Sequence, residues 1–227
     1  METNIYKKKW SKINKWSKKI KAINLLGGSC NCGENNPLKL SFHHKYDKKY
    51  LINKILNRRW SFIKEELSKC KLMCHNCHME HHHLEKNTRH QNNKKIYLEF
   101  IGEKNCSKCG YNKCNSALHF HHKENKSFQI SSLNKAMKSI DVLSNIITEE
   151  LSKCEILCSN CHSIQHADME FYNENRIEIH NKSENIREIN RYDIKQIKNL
   201  KAKGFSNIEI SKKIGCRRET IWNMLKK

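Results

Sequence analysis

Two stretches of the chain repeat one another and decide its fold: EELSKCKLMCHNCHMEHH at residues 65–82 and EELSKCEILCSNCHSIQH at residues 149–166. Each contains a Cys-x-x-Cys pair, a histidine directly after the second cysteine and another histidine four positions later. Two thiolates at this spacing can reach one tetrahedral metal ion. Histidines four residues apart share one face of a helix and can address one ion. Each stretch therefore predicts a metal-binding knuckle that opens a helix.

A second repeated element lies upstream of each knuckle. Residues 26–45 read LGGSCNCGENNPLKLSFHHK, and residues 106–123 read CSKCGYNKCNSALHFHHK. Both contain a close cysteine pair, and both end on two adjacent histidines after alternating apolar residues. This pattern predicts a β-hairpin whose second strand presents the histidines, followed by a helical stretch at 51–67 in the first copy and 133–151 in the second. Because the elements recur in the same order, we interpret the chain as two copies of one module.

The composition restricts the classes of protein to which this chain could belong. The 227 residues include 12 cysteines and 14 histidines, and the formal net charge is +21. No segment has the apolar length of a membrane span and the N-terminus lacks a secretory signal, which predicts an intracellular protein of the cytoplasm or nucleus, not secreted. Thiols stay reduced there, so paired cysteines favour zinc over disulfides or simple packing. The charge favours nucleic acid as a partner, although lysine-rich coding bias also produces it.

The ordered motifs resemble those of a known family. Cys-x-x-Cys-Gly, a strand ending Phe-His-His, and Lys-Cys-x-x-x-Cys-x-Asn-Cys-His-x-x-x-His together resemble the HNH endonucleases, ββα-metal nucleases that carry a four-cysteine structural zinc. The resemblance covers about residues 20–83 and 98–166. It implies an α+β fold with two small zinc-stapled ββα-metal modules in tandem. Lys69 and Lys153 stand where many family members have an asparagine, and the first copy has Cys-x-Cys for its first pair.

The resemblance also implies a role for each repeated residue. The second histidine of each adjacent pair, His44 and His122, would be the general base. Ligands of a catalytic Mg²⁺ or Mn²⁺ would be His43, His78 and His82 in the first copy, and His121, His162 and His166 in the second. Two structural Zn²⁺ would be held by Cys30, Cys32, Cys74 and Cys77, and by Cys106, Cys109, Cys158 and Cys161. In the alternative interpretation the histidines join purely structural zinc sites, and the protein is a non-catalytic, zinc-stabilised DNA-binding regulator.

The C-terminal residues 191–227 form a separate pattern. Three short helical segments are broken at Gly204 and Gly215, and Ser206 with Glu209 predicts a capping box at the second. An apolar set is expected to form their shared core: Ile208, Ile210, Ile214, Ile221 and Leu225. The string resembles the helix-turn-helix of resolvase and invertase-type DNA-binding domains. The resemblance implies DNA contacts by Arg217, Arg218, Glu219, Thr220 and Asn223. A small helical packing domain is the alternative.

The expected organisation is therefore five segments: a basic N-terminal helix (1–25), module 1 (26–97), module 2 (98–168), a polar linker or solvated helix (169–190) and the helix-turn-helix (191–227). The N-terminal helix could lie on DNA, on a membrane surface or against the first module. The whole pattern predicts a metal-dependent endonuclease of double-stranded DNA that works as a single-chain pseudo-dimer, with one nick per strand and no membrane partner. A homing or mobile-element role is expected, with a restriction enzyme as the alternative.

Overall fold

The computed structural model describes residues 2–85, 98, 102, 104–128, 148–186 and 194–225. These residues form a mixed α+β structure with two short antiparallel sheets of two strands each. Two clusters of four cysteines and two clusters of three histidines lie beside the sheets. None of the described helices combines the length and apolar character needed to cross a membrane.

The first copy consists of two strands separated by short helices and followed by a longer one. In chain order the elements are α1 (Glu2–Leu25), β1 (Leu40–His44), α2 (Ile52–Ile55), α3 (Trp60–Leu67), β2 (Cys70–Cys74) and α4 (His75–Glu85). Strands β1 and β2 pair antiparallel, with Leu40 opposite Cys74 and His44 opposite Cys70. Ile63 and Leu67 of α3 are fully buried in a core under the sheet, together with Ile52 and Trp60. Helix α4 begins at the second cysteine pair of the module (Cys74 and Cys77, the second knuckle) and lies beside His43 of β1.

The predicted β-hairpin within residues 26–45 is wrong. The structure has one strand in this stretch. Its partner is β2, which follows α2 and α3 in the sequence. Residues 30–38 form turns because their polar groups bond locally: the Cys30 amide donates to the Glu34 carbonyl at 2.8 Å, and the Leu38 amide donates to Asn36 Oδ1 at 2.9 Å. Gly33, at φ +90°, adopts a backbone conformation that favours glycine.

The second copy repeats this pairing. Strand β3 (Leu118–His122) follows a short 3-10 helix (Asn115–Ala117) and pairs antiparallel with β4 (Cys154–Cys158). The register is the same, with Leu118 opposite Cys158 and His122 opposite Cys154. Helix α5 (Ser159–Gln165) opens at the second knuckle, as predicted. Residues 148–152 are helical, whereas residues 133–147 of the predicted helical stretch lie outside the described part of the chain.

Residues 169–190 were expected to be a polar linker or a solvated helix, and their described part is largely helical. Helices α6 (Met169–Glu174) and α7 (Arg176–Glu184) follow α5, and α7 packs along α1. Ile179 of α7 is fully buried with Ile13 and Ile20 of α1, and Trp16 lies 4.9 Å from the Tyr172 ring. Ile23, near the end of α1, packs against the first copy. From Ile13 onwards the apolar side of the basic N-terminal helix is thus covered by protein, whereas Trp10 is 44% exposed.

The C-terminal residues form three short helices: α8 (Ile194–Ala202), α9 (Asn207–Ile214) and α10 (Arg218–Leu225). Their core is formed by Ile197, Ile210 and Ile221, all fully buried. Ile208, which was expected in this core, is 48% exposed, because it lies two positions before Ile210 and therefore on another side of α9. The predicted capping box of Ser206 and Glu209 is present, and Gly215 ends α9 in the left-handed conformation at φ +70°.

Candidate metal centres and active sites

Each copy brings four cysteines together at the end of its sheet. The sulfur atoms of Cys30, Cys32, Cys74 and Cys77 lie within 4.8 Å of one another, as do those of Cys106, Cys109, Cys158 and Cys161. In the second knuckles, the Cys77 amide donates to Cys74 Sγ and the Cys161 amide donates to Cys158 Sγ, each at 3.4 Å. The structure therefore unites all eight cysteines that the sequence pattern selected, in the two predicted sets.

The chemistry of these cysteines fits a structural zinc. Burial opposes ionisation of Cys106, but backbone hydrogen bonds from Cys158 and Lys108 more than offset it and lower the pKa of that thiol to about 7. Burial and the neighbouring thiols raise the pKa of Cys77 and of Cys161. A bound cation would overcome this mutual repulsion between thiolates. Four sulfur ligands without a carboxylate make a closed tetrahedral set, which zinc prefers.

Three histidines from a strand and a helix converge in each copy. His43 of β1 meets His78 and His82 of α4, and their ring nitrogens lie within 4.8 Å of one another. Nε2 of His78 and Nε2 of His82 are 3.1 Å apart. Burial and the two neighbouring imidazoles lower the pKa of His78 to about 4, so this side chain stays neutral at pH 7, as a metal ligand must be. A helix face and a strand end thus supply the predicted set.

The second copy has the same three-histidine cluster. His121 of β3 meets His162 and His166 of α5 within 4.8 Å, and Nε2 of His162 lies 3.2 Å from Nε2 of His166. The pKa of His121 is lowered, mainly by burial and to a smaller extent by the nearby His166 imidazole. Three nitrogen ligands leave coordination positions for water and phosphate oxygens, unlike a closed four-cysteine site. Each copy therefore has one closed cysteine set and one open histidine set.

The histidines assigned as general base are held by a buried carboxylate. His44 Nε2 lies 3.0 Å from Glu66 Oε1, with the two side chains 8% and 4% exposed. His122 Nε2 lies 2.9 Å from Glu150 Oε1. Because a carboxylate accepts hydrogen bonds, Nε2 carries the proton in this pairing, and Nδ1 keeps the lone pair that can accept a proton from water.

Sequence reasoning missed Glu66 and Glu150. Glu66 Oε1 also accepts the amides of Lys49 and Tyr50 at 2.8 and 3.0 Å. Burial raises the pKa of Glu66, but these amides and Lys69 outweigh that effect and lower it to about 2. Glu150 has the same surroundings: amides of Ser127 and Phe128, together with Lys153, lower its pKa to about 2 against the effect of burial. Both carboxylates are therefore anions behind the candidate bases.

Lys69 and Lys153 belong to the same network. Lys69 Nζ donates to Glu66 Oε2 at 3.2 Å and to the Asp47 carbonyl at 3.0 Å. Lys153 Nζ lies 3.2 Å from Glu150 Oε2 and 3.2 Å from Ser127 Oγ. Each lysine thus joins the buried carboxylate to the loop that follows the histidine strand. Both lysines therefore belong to the hydrogen-bond network around His44 and His122.

The other cysteines lie outside the clusters. Cys70 Sγ donates to the Glu66 carbonyl at 3.5 Å, and Cys154 Sγ donates to the Glu150 carbonyl at 3.3 Å. Burial, reinforced by the nearby glutamate, raises the pKa of both thiols to about 11. These thiols therefore stay protonated at neutral pH and pack at the start of the second strand.

The candidate DNA-contacting residues lie around the start of α10. Arg217, Arg218, Glu219 and Asn223 are exposed, and Thr220 is half-buried. Trp222, which sequence reasoning did not select, is 54% exposed and is adjacent to Asn223. The structure therefore presents a polar and aromatic surface on the last helix of the three.

No protein-family model, curated protein or solved structure gives a significant match to this chain. The functional assignment therefore depends on the residues and their geometry.

Proposed function

We propose that the protein is a metal-dependent endonuclease that hydrolyses phosphodiester bonds in double-stranded DNA, with one HNH-like active site per copy. The observation that carries the proposal is the pairing, in both copies, of an open three-histidine cluster with a histidine–glutamate pair. His43 and His44 are consecutive residues of β1, and His121 and His122 are consecutive residues of β3. A candidate ion ligand and a candidate base are thus neighbours along one strand.

The residues divide the chemistry between them. A divalent ion held by the three histidines would supply Lewis acidity to the phosphate and to the departing 3′ oxygen. Mg²⁺ or Mn²⁺ is the ion that the resemblance implies, whereas three imidazole ligands suit Zn²⁺ or Ni²⁺ better than Mg²⁺. His44 Nδ1 accepts the proton of the attacking water, and Glu66 stabilises the resulting imidazolium through Nε2. His122 and Glu150 do the same in the second copy. A positioned histidine of this kind contributes roughly 10²- to 10⁴-fold in rate.

The cysteine clusters have a structural role in this proposal. Each takes one Zn²⁺ and ties the turn before the first strand to the second strand and its helix. The sheets have only two strands of five residues each, and sheets this small need additional support for independent stability. The zinc sites hold the strand histidines against the helix histidines.

DNA binding is assigned to the basic surfaces and to the C-terminal helices. The formal net charge of +21 favours a polyanionic partner. Helix α10 would enter the major groove as the reading helix, with Arg218 and Asn223 at base edges. A nuclease joined to a DNA reader suits a homing or other mobile-element endonuclease.

A plasmid assay tests the proposal. Supercoiled DNA is incubated with the protein and Mg²⁺ or Mn²⁺, with EDTA as the metal-free control. We expect the wild type to cut and the double variant His44→Ala/His122→Ala to lose cleavage while it keeps its zinc and binds DNA. His180→Ala, on α7, is the matched control and should cut like the wild type. Tight DNA binding without cleavage by any ion would support the non-catalytic regulator instead.

A further inference from the structure

Asn76 and Asn160, the asparagines inside the two second knuckles, bond to each other across the copies. The backbone amide of Asn76 donates to the side-chain oxygen Oδ1 of Asn160 at 3.1 Å. The backbone amide of Asn160 donates to Oδ1 of Asn76 at 3.0 Å. Each asparagine is the second residue of its helix, α4 or α5. Amides in the first turn have no partner within the helix. Each helix is therefore capped by a side chain of the other copy.

The next backbone amide of each helix is satisfied within its own copy. The third amide of each helix donates to a knuckle sulfur, Cys77 to Cys74 and Cys161 to Cys158. Asn76 is 8% exposed, so removal of its acceptor would leave a buried amide unpaired. The Asn160 side chain also hydrogen-bonds to the Cys74 thiol. The reciprocal pair thus joins the starts of the two histidine-bearing helices and touches the first cysteine cluster.

Two further hydrogen bonds near this pair also join the two copies. Ser163 Oγ on α5 donates to the Leu38 carbonyl at 3.1 Å. His83 Nδ1 on α4 lies 2.9 Å from Ser116 Oγ. Leu38 and Ser116 occupy equivalent positions of the repeat, two residues before the first strand of each copy. Each helix therefore reaches the same segment of the opposite copy, although through non-equivalent residues of the two helices.

We propose that Asn76 and Asn160 form a clasp that holds the two modules in a fixed two-fold arrangement, so that one bound chain cuts both DNA strands in a single encounter. The strands of a duplex run antiparallel, and a two-fold protein matches them with two identical sites. The clasp deepens the proposed endonuclease function and rests on it for its second half. In this proposal Asn76 and Asn160 hold the two modules together.

Amide hydrogen exchange on the zinc-loaded full chain tests the clasp without any activity. Asn160→Ala should accelerate exchange of the Asn76 amide about 10-fold, the order expected for loss of a helix cap. Asn76→Ala should do the same to the Asn160 amide. Asn76→Asp keeps an accepting oxygen and should preserve the protection of Asn160, while Asn199→Ala on α8 should change neither. Unchanged exchange of Asn76 in Asn160→Ala would overturn the clasp.

Plasmid cleavage tests the coupling of the two cuts. We expect the ratio of second-strand to first-strand cutting rates to fall about 10-fold in Asn76→Ala/Asn160→Ala, so that nicked circles accumulate, with zinc content verifying that both modules are folded. If zinc is lost, the single variants are measured instead. A ratio equal to that of the wild type would overturn the coupling. If the wild type cuts no DNA, the endonuclease proposal fails and the coupling with it, whereas hydrogen exchange still decides whether the clasp exists.

Discussion

At the scale of single residues, the most distinctive group is the buried carboxylate behind each candidate base. Glu66 accepts from His44 and two loop amides on one oxygen and from Lys69 on the other. Glu66→Gln keeps one accepting oxygen but places an amide where Lys69 donates, so the base loses its anionic partner. We predict that Glu66→Gln/Glu150→Gln lowers the nicking rate about 10- to 100-fold, a part of the 10²–10⁴-fold contribution of a positioned base.

The neighbouring glutamates supply the control for this prediction. Glu65 and Glu149 precede the buried residues in both copies and are exposed. Glu65→Gln/Glu149→Gln removes the same two charges and should cut like the wild type. Rates are compared at equal zinc content and equal DNA binding. Equal nicking rates for the two double variants would show that the buried carboxylates do not support the base.

The same carboxylates predict a pH dependence of stability. Hydrogen bonds hold the pKa of Glu66 at about 2, below its ordinary value of 4.5. A carboxylate with a depressed pKa contributes stability above pH 4.5 and loses that contribution as the pH falls towards 2. The difference in unfolding free energy between the wild type and Glu66→Gln should therefore shrink as the pH falls from 4.5 towards 2. Urea unfolding at a series of pH values measures it, and a difference that grows on acidification below pH 4.5 would contradict the prediction.

The residues that could be predicted have a fixed spacing in the sequence, and those that could not be predicted have none. Cysteine and histidine ligands keep fixed local spacings, so Cys158, Cys161, His162 and His166 could be selected from the sequence. Glu150 has no such spacing to His122, because the two meet only after β3 pairs with β4. A signal was nevertheless present, since Glu-Glu-Leu-Ser-Lys-Cys stands unchanged in both copies. An acidic residue that recurs with the repeated histidines indicates a hydrogen-bond partner for one of those histidines.

At the scale of elements, we expect the cysteine clusters, when they hold zinc, to stabilise each small sheet. Structural zinc contributes on the order of 10 kcal/mol, comparable with the whole stability of a small domain. We predict two Zn²⁺ per wild-type chain and one in Cys77→Ser, with the β1 and β2 amides losing protection from hydrogen exchange. Cys216→Ser, outside both clusters, is the control and should retain two. Two bound zinc ions in Cys77→Ser would contradict the assignment.

The last helix carries a prediction about sequence recognition. Arg218 is exposed at the start of α10, where a reading helix contacts base edges. After selection of cleaved sites from random DNA, Arg218→Ala should weaken binding to the selected site by about 1–3 kcal/mol and reduce its preference over random DNA. Lys198→Ala, which removes an exposed charge from α8, should leave that preference unchanged. An equal loss on both DNAs would instead indicate a phosphate contact by Arg218.

The strand pairing was harder to predict than the helices. Helix α9 has local determinants, the capping box at Ser206 and the left-handed Gly215, and both are visible in the sequence. The partner of β1 is set by a core far along the chain, where Phe42 packs against Leu72. Alternation of apolar residues identifies such a strand but not its neighbour. The prediction of a hairpin was wrong for this reason. The buried side of α7 could not be predicted either, because it depends on packing against α1.

At the scale of the whole molecule, the two copies, joined by the Asn76–Asn160 hydrogen bonds, act in the proposed function as a pseudo-dimer whose halves differ in sequence. A symmetric homodimer cannot show which subunit cuts which strand, because its subunits are identical. Here the halves differ in sequence, and the C-terminal helices belong to one end of the chain. A single chain bound to an asymmetric site would therefore present a particular module to each strand.

This asymmetry predicts that each module cuts its own strand. On a linear duplex with one selected site and each strand labelled at its 5′ end, His44→Ala should cut only one labelled strand, and His122→Ala only the other, because the surviving base can reach a single scissile phosphate. The nick positions in the two variants should together reproduce the two ends of the wild-type double-strand break. Denaturing electrophoresis reads both strands at nucleotide resolution. Nicking of the same strand by both variants, or a double-strand break by either at the wild-type rate, would mean that one module serves both strands and that the second copy has another role.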